Sequence, residues 1–139
     1  MKKLFIILVI LIIFTVLPVL AKTKIDILTV YDGDTVLARI DDNTFRIRLI
    51  GIDCFEGTAS DRAKWQAKKY NMALSEVVSY GNFAGDILKG RLNNKDVYFS
   101  FKGIDKYNRA LGILYVDNVN INDELVKTPY CMPYKPKFD

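Results

Sequence analysis

Between Thr44 and Ile52 the chain alternates with a period of two. Phe45, Ile47 and Leu49 fall on one face and Arg46, Arg48 and Ile50 on the other. This pattern calls for a strand with one face in a core, because a slip of one residue would turn the apolar set into solvent. The preceding segment has the same character. Ile25 and Ile27 alternate with Lys24, Asp26 and Leu28, and Tyr31-Asp32-Gly33-Asp34 is a turn signal. Thr35 to Ile40 is rich in β-formers, and Asp41-Asp42-Asn43 closes a hairpin. Gly51 marks a bend or bulge at the end of this meander.

Helical spacing takes over after Glu56. Ser60 caps a helix from Asp61 to Lys69, with Ala63, Gln66 and Ala67 on one side and Trp65 as an apolar anchor. A second helix runs from Ser75 to Leu92, against the grain of Gly81 and Gly85. Val97 to Phe101 and Ala110 to Val116 return to strand, joined by a turn at Asp105 to Asn108. A short segment follows at Val119 to Ile121. A last helix from Asp123 to Lys127, capped by Asn122, ends at Pro129, and the tail from Tyr130 has no periodicity. Three meander strands, helices and two further strands predict a mainly β, α+β domain. A five-stranded barrel of OB type with about three helices satisfies this order, because closure removes exposed strand edges. Phe45, Phe99, Phe101 and Trp65 are read as core.

The 139 residues suffice for one such domain. Lys2 and Lys3 precede an apolar run from Leu4 that continues past Thr15 to Ala21, the pattern of a secretory leader cleaved after Ala21. The division is therefore a leader over residues 1–21 and a domain over 22–139. An uncleaved membrane anchor stays open, since the run approaches the shortest span of a bilayer, about 17 residues. Loss of Lys2 and Lys3 takes the formal charge from +4 to +2, a weak leaning toward a polyanionic partner. An exported, extracytoplasmic domain sits in an oxidising medium. Cys54 and Cys131 can then pair, or stay free if the fold holds them apart. The chain has no histidine, which excludes His-based triads and points to carboxylates and arginines.

Three charged clusters carry the chemistry. The first is Asp32-Gly33-Asp34-Thr35, the second runs from Arg48 to Glu56, and the third is Asp105-Lys106-Tyr107-Asn108-Arg109. Each alone is an ordinary polar turn. Together they form a hydrolytic set. Asp34 and Asp53 offer oxygen ligands to a hard cation, and Glu56 can act on water as a general base. Arg48 and Arg109 can grip phosphate oxygens and stabilise developing charge. Tyr107 and Tyr134 stand beside lysines and suit base stacking. Lys68 and Lys69 read as a solvated helix face, with contact to a substrate backbone as the lesser alternative.

These clusters match known motifs. VYDGDTV (Val30–Val36), RLIGIDCFE (Arg48–Glu56) and DKYNR (Asp105–Arg109) stand in the order found in the staphylococcal nuclease family, which the chain resembles from Lys24 to about Lys127. The resemblance implies a five-stranded OB barrel with three helices and one bound calcium ion. It also implies cleavage of DNA and RNA at the bond between the 5′ oxygen and phosphorus, leaving 3′-phosphorylated ends. Carried over by position, Asp34, Asp53 and the backbone carbonyl of Cys54 are metal ligands, with Asp32 behind them. Glu56, Arg48 and Arg109 are catalytic, and Lys106, Tyr107 and Tyr134 bind the nucleotide. A monomer without an obligate protein partner is implied. Cys54 and Phe55 replace the family's usual threonine-proline pair, so a fixed φ is lost beside Glu56. Asn108 replaces a common glycine. A non-catalytic nucleic-acid-binding OB module is the alternative, and an interaction domain with a merely solvated rim is a third reading.

Overall fold

The computed structural model describes residues 21–135. The expected leader therefore lies outside the described residues, Ala21 apart. Strand β1 (Thr23–Val30) pairs antiparallel with β2 (Thr35–Ile40), which turns through Asp41-Asp42 into β3 (Asn43–Leu49). Asp41 has φ 52°, a left-handed value that aspartate tolerates better than most residues. β3 stops at Leu49, short of the expected Ile52. Gly51 supplies a φ of 79° there, and the chain restarts as the short strand β4 (Ile52–Cys54).

Strands β5 (Val97–Ile104) and β6 (Ala110–Val116) form a second hairpin, and β5 also pairs with β1. A parallel pairing of β3 with β6 closes the barrel. The closed order β1-β2-β3-β6-β5 is the expected five-stranded OB-type barrel, with the strand β7 (Val119–Asn120) added to the edge of β6. Three helices accompany it: α1 (Asp61–Tyr70), α2 (Leu74–Leu92) and α3 (Ile121–Val126). The inward face of β3, Ile47 and Leu49, meets Val36, Leu114, Leu88 of α2 and Leu125 of α3 in the main core. Complete burial of each such side chain stabilises by about 1.5–3 kcal/mol.

Several expectations are corrected. The cap of α3 is Asn120, whose side chain accepts from Asp123 N at 3.1 Å. Asn122 is instead buried. Its Oδ1 accepts from Leu114 N, and its Nδ2 donates to Ile50 O and Gly112 O, tying α3 to β6 and to the Gly51 bend. Trp65 is no core anchor, since 49% of it is exposed, and Phe101 is exposed too. The tail contains strand β8 (Cys131–Pro133), which pairs antiparallel with β4 in register Cys54↔Cys131. That register answers the open question of the cysteines, which form a disulfide.

Around Phe55 a second core gathers Ala63 of α1 and Val77 of α2, with Tyr70 and Tyr80 edge-on to the Phe55 ring at 5.4 and 5.6 Å. This cluster fixes both helices to the chain just before Glu56.

Candidate active site

The first motif is a turn that aims one carboxylate inward. Asp32 Oδ1 accepts from Asp34 N at 3.0 Å, closing the turn. Asp32 thus shapes the backbone behind Asp34. Asp34 is buried, 6% exposed. Its Oδ2 accepts from Cys54 N at 2.8 Å and faces Arg48 Nη1 at 3.0 Å. Burial pushes the Asp34 carboxyl up to about 7, reinforced by the neighbouring Asp32 and opposed by Arg48 and the Cys54 N–H.

Asp53 comes from β4, so its position depends on the β4–β8 pair. Three further anchors hold the loop to Glu56. The disulfide joins Cys54 to β8. Phe55 N donates to Tyr130 O at 3.0 Å, a bond that proline could not make. Gln66 of α1 is fully buried. It accepts from Glu56 N at 2.9 Å and donates to Cys54 O at 3.2 Å. The Cys54 carbonyl expected as a metal ligand therefore already carries one hydrogen bond, with a second lone pair left. Losing the proline has not left this loop without restraint, because Gln66, Phe55 and the disulfide each hold it from a different side.

Arg48 Nη2 reaches Asp53 Oδ1 at 3.3 Å, so one guanidinium spans Asp34 and Asp53. On the other side of Asp53 stands Arg62, from the first turn of α1. Its Nη2 is 2.6 and 2.7 Å from the two Asp53 oxygens, and its Nε donates to Glu56 Oε1 at 3.0 Å. Burial works to lower the Arg62 pKa, but the charge of Asp53, its hydrogen bonds and Glu56 outweigh it and raise the value. Glu56 is raised as well, first by burial and then by Asp32, against the pull of Arg62. Asp34, Arg48, Asp53, Arg62 and Glu56 thus form one continuous chain of alternating charge.

Arg109 is held separately. Asp105 Oδ1 accepts from Tyr107 N and Arg109 N at 2.9 and 3.0 Å, and its Oδ2 accepts from Arg109 Nε at 2.8 Å. Asn108 completes this turn with φ 59°, the left-handed geometry that makes asparagine a workable substitute for glycine. Burial acts to raise Asp105, but hydrogen bonds from Arg109 and Tyr107 together hold it below the usual carboxylate range. The parallel register pairs Leu111 with Arg48, so the start of β6 lies beside β3. Arg109 touches none of Asp34, Asp53 and Glu56 through a hydrogen bond or ion pair among the described residues. Tyr107 is 62% exposed, flanked by Lys106 Nζ at 5.1 Å and Arg109 Cζ at 5.4 Å from its ring. Tyr134 is also exposed, and its N–H donates to Gly51 O at 2.9 Å, which sets it beside β4.

A cleft of about 160 Å³ opens beside Glu56 and Asp32, lined also by Tyr31, Asn82, Asp86 and Lys89. A wider groove of about 880 Å³ between β1 and the end of α2 is lined by none of the expected residues, whereas Glu56 and Asp32 line the smaller cleft. Arg62 and Gln66 are contributors that lie outside the motifs, and Asp105, inside the third, was given no role there. The donors Asp34, Asp53 and the Cys54 carbonyl are all oxygen, which suits a hard cation. Among the described residues no three His, Cys, Asp or Glu side chains converge as a ready metal centre.

Residues 46–138 match the family model described as Staphylococcal nuclease homologue. The chain is 30% identical over 128 residues to an uncharacterized endonuclease of Haemophilus influenzae, covering 90% of this chain and 61% of that protein. It is 27% identical over 128 residues to an uncharacterized protein of Methanocaldococcus jannaschii, covering 81% and 60%. An uncharacterized endonuclease of Escherichia coli is 28% identical over 110 residues, covering 78% and 60%. The chain therefore spans about 60% of the length of these relatives. The family match begins inside β3, so the Asp32–Asp34 turn precedes it, and its link to the site rests on geometry.

Proposed function

The chain belongs to the staphylococcal nuclease family, and from that premise we propose that it hydrolyses phosphodiester bonds in DNA and RNA. The activity is that of a calcium-dependent endonuclease of low sequence specificity, breaking the bond to the 5′ oxygen and leaving 3′-phosphorylated ends. The observation that supports this most directly is Arg48 spanning Asp34 and Asp53 at 3.0 and 3.3 Å. It brings the first and second motifs into one charged group beside Glu56.

Asp34, Asp53 and the Cys54 carbonyl are the residues to hold calcium, which when bound polarises a phosphoryl oxygen. Glu56 takes a proton from the attacking water as the new oxygen–phosphorus bond forms and the bond to the 5′ oxygen breaks. The departing 5′ oxygen takes a proton from solvent water and Glu56 releases its own to solvent, so the net change is addition of one water across the broken bond. Arg48 and Arg109 bind the phosphate oxygens and stabilise the charge that builds on them. Lys106, Tyr107 and Tyr134 hold the nucleotide beside this centre. The protein acts as a monomer. The leader read in residues 1–21, together with the disulfide, supports work outside the cytoplasm, released or anchored.

Digestion of DNA and RNA strands by residues 22–139, with calcium and with chelator, tests the reading through the product ends. Calcium-dependent 3′-phosphate products are expected, and Glu56→Gln and Arg109→Lys should each lower kcat by roughly 10²-fold. Undiminished hydrolysis in chelator would sink the calcium assignment. Binding without cleavage by the unaltered protein would leave only the OB-module alternative.

A further inference from the structure

Helix α1 carries an aromatic and cationic stripe that the mechanism above does not use as a surface. Arg62, Trp65 and Lys69 are spaced i, i+3 and i+7, which puts them on one helix face. The adjoining face, Ala63 and Gln66, is buried. Trp65 is the single tryptophan of the chain and lies half exposed. Its ring is flanked by the Arg62 guanidinium carbon at 5.7 Å and Lys69 Nζ at 4.7 Å. Packing does not require a large aromatic here, because α1 docks through Ala63 and the Phe55–Tyr70 contact. Two features say what could cover this face. The stripe is positively charged, with exposed Lys68 adjacent. It is also continuous with the candidate active site, since Arg62 binds Asp53 and Glu56.

We infer that this stripe is a binding track for the nucleic-acid strand beyond the scissile phosphate, with an unpaired base stacked on Trp65 and neighbouring phosphates on Lys68 and Lys69. The inference rests on the nuclease reading of the adjoining site and adds a surface outside its three motifs. A flat indole face accepts any base, and ammonium groups beside it track the backbone, the combination used for single strands without sequence reading. The stripe runs about 10 Å along the helix axis from Arg62 to Lys69, room for a base and the phosphates beside it. A duplex keeps its bases stacked inside and offers Trp65 none.

The test uses the protein over residues 22–139 in chelator, so that binding is read without hydrolysis. Trp65 fluorescence is titrated with a dT 12-mer, an rU 12-mer and a 12-base-pair duplex. Quenching by both single strands, weakened by salt, is expected. By anisotropy of labelled strands, Trp65→Ala and Lys69→Glu should each weaken single-strand binding about 10-fold, while Trp65→Phe retains most of it. Circular dichroism melting checks that the variants fold. Wild-type affinity in both Trp65→Ala and Lys69→Glu overturns the track, as does equal quenching by the duplex. Strands that quench Trp65 but stay intact when calcium is added would support the track and remove the nuclease reading.

Discussion

A single nitrogen of Arg62 lies 2.6 Å from one oxygen of Asp53 and 2.7 Å from the other, so an arginine occupies both oxygens of a candidate metal carboxylate. A guanidinium in that place is an internal cation, and an external one has to displace it. Arg62 is 48% exposed, which leaves it room to swing away. Arg62→Gln should therefore tighten calcium binding by about 5-fold, equivalent to about 1 kcal/mol, the upper end for a partly exposed ion pair. The same variant should be less stable than the unaltered protein in chelator. Calorimetric titration measures the first and urea unfolding the second. Calcium affinity that is unchanged or weaker in Arg62→Gln would exclude the competition.

Asp105 is the carboxylate that aims Arg109, and its pKa is lowered. A depressed folded value means that its contribution to stability is fully present above the ordinary aspartate range near pH 4 and is lost as pH falls through the folded value. Asp105→Asn removes this contribution. The urea midpoint of Asp105→Asn should lie below that of the unaltered protein at pH 7, and the gap should narrow as pH drops below about 4. A gap of constant size across that range would show that Asp105 acts through shape alone.

The disulfide joins residues separated by 77 positions and enclosing both long helices. Constraint of the unfolded chain by a loop of that length stabilises by about 4 kcal/mol on the chain-entropy account. Replacing both cysteines by alanine should lower unfolding free energy by a comparable amount, read from denaturant melts. A change well under about 1 kcal/mol would place the stabilisation of β4 and β8 in their backbone pairing instead.

The strands were the legible part of this fold because a half-buried strand writes its period directly into the residues. Phe45, Ile47 and Leu49 alternate, and the hairpins follow from Asp41-Asp42 and Asp105–Asn108. The three motifs and the Ser60 cap were legible for the same local reason. Trp65 was misread because hydrophobicity does not say which face a helix buries. Asn120 and Asn122 were confused because both can cap a helix, and only the neighbouring carbonyls of Ile50 and Gly112 decide which one is needed inside. β8 and the disulfide depend on a pairing between segments far apart in sequence. Arg62 had a faint signal. The Ser60 cap starts a helix soon after Glu56, which puts the next arginine within reach of Asp53 and Glu56.

Gly81 gives the most direct handle on the position of Glu56. A Cβ added to Gly81 would lie 2.2 Å from the carbonyl carbon of Glu56 and 2.3 Å from Gly57 N, and all of these neighbours are backbone. The glycine that weakens α2 as a helix therefore exists to let α2 approach the loop that presents the candidate base. Gly81→Ala should have two opposed effects. Alanine favours the helix by up to about 1 kcal/mol, while the clash forces the loop outward at a cost of about 1–3 kcal/mol. Net stability should fall by no more than about 2 kcal/mol, because the Phe55 cluster and the disulfide still hold the flanks. Activity should fall much further, since a shift of about 1 Å at a catalytic group lowers rate by roughly 10²-fold. Gly85→Ala is the control: its Cβ comes no nearer than 3.7 Å to Asp32, an ordinary contact, so it should leave both quantities close to the starting protein. Urea melts and single-turnover cleavage of a DNA strand in calcium measure the two quantities. A Gly81→Ala protein that cleaves at the original rate would show that the reaction does not depend on where this loop holds Glu56.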